Sequence, residues 1–177
     1  MRLPLRVLTA GGAALALVAP AFAQGPGSQR TREFVSASAQ SDQFEIDEAV
    51  TALAQSENPD VRGFATRMIE DHRKTSQALA DAVSRSKLAA PPPGIGGDQS
   101  MFLSALQSAR GSEFDRLYAR QQVLAHHAAL VTVEVYAASG DDPNLRAVAA
   151  DTSALIQSHS AMADQLAAKM EEGQARP

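Results

Sequence analysis

The sequence predicts an all-α protein: a four-helix bundle of two helical hairpins joined by a long crossover that carries a short extra helix. Three observations predict it. Apolar residues recur at three- and four-residue steps through four long segments rich in Ala, Leu, Gln and Arg, the spacing that lines one face of a helix. Strand-type alternation is almost absent. Two proline-centred turns, SENPDVR at 56–62 and GDDPNLR at 140–146, each divide a pair of these segments.

Taken in order, residues 1–23 have the parts of an export signal: Arg2 and Arg6, an apolar stretch from Leu8 to Ala19, and small residues before a cut at Ala23. The apolar stretch is shorter than the roughly 20 residues that span a bilayer, so cleavage before Gln24 is expected. Residues 24–30 are expected to be a flexible start, 31–170 the bundle and 171–177 a disordered tail. The first helix is expected from Thr31 to Glu57, with Phe34, Ala37 and Phe44 inward and Ile46, Val50 and Leu53 one stripe over. Asn58 caps the second helix and Pro59 takes its first position, where a missing N–H costs nothing. Its inner stripe reads Val61, Phe64, Met68, His72, Leu79 and Val83, and AAPPPGIGG at 89–97 ends it.

A short helix from Gln99 to Ala109 is expected to lie across one end. Gly111 then breaks the chain and Ser112 caps the third helix, which has Glu113 and Asp115 in its first turn and ends at Gly140. Asp142 caps the fourth helix, Pro143 opens it, and it runs to Met170 with Leu145, Val148, Leu155, His159, Met162 and Leu166 inward. The likeness of the two turns fits either an internal duplication or convergent turn chemistry.

Composition narrows the chemistry. Without Arg2 and Arg6, 14 basic side chains face 20 acidic ones, a formal charge of −6, which argues against nucleic acid or an anionic lipid surface as partner. The chain has no cysteine, so disulfides, lipid attachment through cysteine, thiol catalysis and thiolate zinc sites are excluded. Only His, Asp and Glu remain as the usual metal ligands.

Those residues fall on the inner stripes. Antiparallel helices put residues equidistant from their shared turn at one level. Glu45 lies 14 residues before Pro59 and His72 lies 13 after it; His126 lies 17 before Pro143 and His159 lies 16 after it. With both turns at one end, the two pairs differ by about 5 Å along the bundle. Glu45, His72, His126 and His159 are therefore the candidate metal ligands, with Glu48 and Asp71 as possible supporting carboxylates. Imidazoles and carboxylates together suit a divalent transition metal, and bundle interiors are where such sites are built. The alternative is structural: buried histidines hydrogen-bonded to Glu45 or Asp71 with no metal. His127 falls at the edge of the stripe. Tyr118 and Tyr136 read as amphipathic core residues, and Glu70, Asp71, Arg67 and Arg73 as a solvated face.

The segments REFV at 32–35, Glu45-Ile46, VRGFATRMIEDH at 61–72 and FDRLY at 114–118, followed by His126 and His159, resemble the domain-of-unknown-function 4142 family. The likeness covers about Arg32 to Met170. It implies a ferritin-like helical bundle exported by bacteria, in a family often labelled as outer-membrane proteins. No segment after the signal reads as a membrane helix or a transmembrane β-strand, so a periplasmic or secreted location is expected. Ferritin-like di-iron sites use Glu-x-x-His on two helices, whereas Ile69, Val123, Leu124 and Ile156 stand three residues before the histidines here. The di-iron signature is missing. Three roles stay open: a metal-binding bundle, a structural or interaction module meeting an envelope protein or a second copy, and a redox enzyme with a different metal site.

Overall fold

The computed structural model describes residues 27–172, and among them the chain forms five helices: α1 (Gln29–Gln55), α2 (Pro59–Arg85), α3 (Gly97–Ser108), α4 (Gly111–Ser139) and α5 (Pro143–Glu172). The expected signal peptide lies outside the described residues. The all-α bundle of two hairpins is what the periodicity predicts. No described helix is long and apolar enough to cross a membrane.

Each long helix begins where its capping chemistry says. Ser28 Oγ accepts from Thr31 N at 3.0 Å, so α1 starts at Gln29, before the expected Thr31. Asn58 Oδ1 accepts from the amides of Asp60 and Val61, and Asp142 Oδ1 from Leu145 N, each ahead of a proline. Ser112 does not cap α4; Arg110 takes the cap position and the helix opens two residues earlier than expected, at Gly111, whose φ of +56° suits glycine. Gly140 is required for a different reason. A Cβ there would stand 2.5 Å from the Tyr136 ring.

The two turns lie at opposite ends of the bundle, which overturns the expectation that they share one end. Ala49, Ala52 and Val61, beside the first turn, pack with Phe114 at the start of α4 and with Ala163 and Leu166 late in α5. Phe34, Leu79 and Val83, at the far end of the first hairpin, pack with Val133, Tyr136, Leu145 and Ala149 around the second turn. Thr31 Oγ1 fastens that far end through Asp141 at 2.6 Å and the Tyr136 hydroxyl at 2.7 Å. Neighbouring helices are thus all antiparallel, and α2 and α4 run the same way.

That arrangement explains the crossover. Residues 86–110 must travel the length of the bundle to start α4 at the end where α2 began, and a single long connection of this kind is the ferritin-like pattern. α3 rides on it. It packs along α1 and α4 rather than across an end: Gln121 Nε2 donates to the Phe102 carbonyl at 3.0 Å, and Gln55 reaches Gln107. The inner stripes hold with three shifts: Ala37 and Val50 point outward and are exposed, and Ile156 is buried where Leu155 was expected to lead.

Candidate metal centre

Between the two apolar clusters lies a layer of buried polar side chains that includes Asp42, Glu45, Glu48, His72, Gln122, His126 and His159. It sits at mid-bundle because its members sit at mid-helix. Asp42 is the middle residue of α1 and His72 of α2, while His126 and His159 stand within two residues of the middle of α4 and α5. A residue at the middle of a helix keeps its level whichever end the turn occupies. The layer therefore forms although the turns lie at opposite ends.

The three imidazoles face one another. Ring centroids stand 5.7 Å apart for His72 and His126 and 5.4 Å for each with His159, and one nitrogen per ring lies within 4.8 Å of the other two. Each ring is held from outside. His72 Nδ1 meets Asp42 Oδ1 at 2.9 Å, His126 Nδ1 donates to the Gln122 carbonyl at 2.8 Å, and His159 Nε2 meets Asp71 Oδ2 at 3.1 Å. The opposite nitrogens, His72 Nε2, His126 Nε2 and His159 Nδ1, have no hydrogen-bond partner although buried. Buried polar atoms are normally paired, so three convergent orphans are a pattern that calls for a ligand. Two nitrogens bound to one ion at about 2.0 Å stand roughly 3.4 Å apart, so nitrogens within 4.8 Å of one another need to close by no more than about 1.4 Å on a metal.

Glu45 lies next to the imidazoles, with Oε1 3.8 Å from His126 Nδ1 and both carboxylate oxygens unpartnered. Glu48 stands one turn further along α1. Its Oε2 accepts from Gln122 Nε2 at 3.0 Å, and burial, then the charge of Glu45, push its carboxyl up to about 9. Glu48 is thus neutral at pH 7. Tyr118 closes this side, its hydroxyl unpartnered and its titration pushed well above the usual range by burial and the two carboxylates. Asp71 closes the other. Burial raises it, but hydrogen bonds from Lys74 and His159 outweigh that and hold it below the usual carboxylate range. It belongs to the layer as well as to the charged face of α2, where Arg67 also reaches it at 3.5 Å.

His72 and His159 titrate in opposite directions. Burial and the neighbouring rings His126 and His72 lower His159 to about 4 against the opposing pull of Asp71, so it is a neutral imidazole at pH 7. For His72 burial also lowers the value, but Asp42 and Glu45 outweigh it and the net direction is upward. Sequence reasoning paired His72 with Glu45 and missed Asp42. The signal was there: Asp42, Glu45 and Glu48 recur at three-residue steps and share one face of α1. Thr75, one turn beyond His72, also donates to Asp42 Oδ1 at 2.8 Å. His127 stays at the edge, exposed beside Asp164.

Among solved structures, this chain is similar to a crystal structure of a DUF305 fragment from Deinococcus radiodurans, with a TM-score of 0.71, 14% identity, and coverage of 81% of this chain and 99% of that one. It is also similar to CopM in its Cu(II)-bound form, with a TM-score of 0.65, 22% identity, and coverage of 80% of this chain and 95% of that one. CopM in its Cu(I)-bound form gives a TM-score of 0.63 with the same identity and coverage. These likenesses establish the fold. No curated protein matches the sequence. The domain of unknown function DUF4142 matches residues 16–166, and the chain belongs to that family.

Proposed function

We propose that this DUF4142 protein is an exported metal-binding bundle that holds one transition-metal ion, copper first, between His72, His126 and His159. The observation that carries the reading is the convergence of three buried, unpartnered ring nitrogens, each on an imidazole fixed from behind by a separate acceptor. That outer support is how proteins orient histidine ligands and raise their basicity. A nitrogen-rich, thiolate-free set suits copper, zinc or nickel, and copper(II) stands highest in the usual order of affinities. The copper-bound state of CopM, a protein of similar fold, points the same way.

Glu45 supplies a nearby carboxylate that offsets the charge of the ion without leaving the layer. His159, neutral at pH 7, has no proton to lose before it can bind. The site is enclosed, each ring at most 1% exposed, which suits holding an ion better than turning over a substrate.

The test is elemental analysis of mature protein purified without chelator or histidine tag, beside the double variant His72→Ala, His159→Ala. Near-stoichiometric metal in the parent and none in the folded variant supports the reading. A folded parent that refuses Cu(I), Cu(II) and Zn(II) would return the histidines to core architecture. Export rests on residues 1–23. N-terminal sequencing should find Gln24 first in protein from the periplasm or medium; an intact Met1 in the cytoplasm would sink that part.

A further inference from the structure

Among the described residues, every exposed large apolar side chain except Val50 lies on α3 or α4. On α4, Leu124, Ala128, Val131, Val135 and Ala138 follow one another at steps of four, three, four and three residues. That is the spacing of a coiled-coil seam. Its three large members are each at least 57% exposed and its two alanines are exposed as well, whereas His126, Val133 and Tyr136 on the opposite face of α4 are buried. A helix that is apolar on both faces belongs between two partners, and the bundle supplies one. Val50 alone needs no partner, but an apolar row of about 21 Å does.

The edges of the seam decide what covers it. One edge carries His127 and Glu134, both exposed, and the other carries the uncharged Ala125, Thr132 and Ser139. An antiparallel pair of α4 helices sets each edge against the same edge of the other copy, so His127 of each copy meets Glu134 of the other. His127, already 3.7 Å from Asp164 of α5, then stands between two carboxylates. A parallel pair sets both charged residues against the uncharged edge. Matching His127 to Glu134 also fixes the register. The two-fold axis falls beside Val131, and Leu124 of each copy lies level with Ala138 of the other, large against small. Gln121 Nε2 donates to the Phe102 carbonyl at 3.0 Å, which places exposed Met101 and Phe102 at the Leu124 end, where they add apolar surface.

We propose that the chain forms a two-fold homodimer in which α4 packs antiparallel against α4 of a second copy along Leu124–Ala138. The inference stands apart from the metal reading, since no seam residue is a candidate ligand. Two heptads make a small interface, so half-dimerisation is expected at roughly 10–100 μM chain.

The test is sedimentation equilibrium of the full mature chain from micromolar to millimolar concentration, with chelator present so that exposed His127 cannot bridge copies through an ion. A reversible monomer–dimer equilibrium is expected. Val131→Glu sets two carboxylates together at the axis and should weaken pairing at least about 100-fold, while the exposed position leaves thermal unfolding unchanged. Val50→Glu on α1 should leave the dimer intact. Glu134→Lys should weaken pairing severalfold, and adding His127→Glu should restore it. Because the chain lacks cysteine, cross-linking reads the register: Leu124→Cys mixed with Ala138→Cys should form a disulfide-linked pair, and neither variant should link to itself. A chain that stays monomeric at millimolar concentration overturns the proposal and leaves the seam to a different partner. A dimer indifferent to Val131→Glu overturns it too. Self-linking of Leu124→Cys without linking to Ala138→Cys shows a parallel pair and overturns the antiparallel one.

Discussion

The apolar ends of the bundle and its polar waist are built from the same four helices, yet they answer to different rules. At the ends, Phe114, Val61 and Leu145 are buried against like neighbours, and each contributes by leaving water. At the waist, carboxylates, amides and imidazoles are buried just as deeply, and several of their atoms find no partner. Each such atom costs about 1–3 kcal/mol. The ends therefore carry the stability that the waist spends. A waist that only held helices together would be better made of leucine, so its composition points to binding.

The largest expected effect tests the ends. Phe114→Ala should lose about 3–5 kcal/mol in urea unfolding, by lost burial and a cavity, while leaving metal stoichiometry unchanged. Loss of metal in a folded variant would show that ends and waist are not separable.

Next comes Glu48, which should behave in the opposite sense. Its carboxyl titrates at about 9 in the folded chain against 4.5, so the stability it confers is complete below pH 4.5 and is lost as pH rises toward 9. His159, lowered from 6.5 to about 4, acts in reverse: its contribution is present above pH 6.5 and lost as pH falls to 4. The metal-free protein should be most stable near pH 5–6, between these limbs. Glu48→Gln keeps an acceptor for Gln122, so it should flatten the alkaline limb and gain about 3 kcal/mol at pH 7, read by urea unfolding at several pH values. An unchanged alkaline limb would mean the carboxyl is not held neutral.

Within the waist, Asp42→Asn removes the anion behind His72 and should weaken copper binding about 10- to 100-fold, measured by competition with a chromophoric chelator. Equal affinity would show that this carboxylate does not orient the ring. The smallest effect lies at the surface. Lys169→Ala breaks an ion pair with Asp60 whose partners are both at least half exposed, and thermal stability should change by no more than about 1 kcal/mol.

Much of this was legible before any coordinates. The 3.6-residue periodicity placed α2 and α5, and the Asn-Pro and Asp-Pro turns placed the hairpins; the single level of His72, His126 and His159 was expected from turns sharing one end, which they do not, and it holds because each histidine stands near the middle of its helix. Asp42 escaped because counting outward from Pro59 set Glu45 beside His72, three residues from its actual partner. The outward turn of Val50 escaped for a related reason: a stripe drawn on one helix does not say where its neighbours end.

By itself the sequence determined the helices, the two proline turns between them and the mid-helix place of the histidines, because helical period, capping and distance along a helix are local. Only the tertiary structure decided that the turns lie at opposite ends, that α3 lies along a side, which carboxylate holds which ring, and that three ring nitrogens are left facing one another. Those depend on helix rotation and on the path of the crossover. A single residue turns a side chain by 100°, and no local signal fixes that angle.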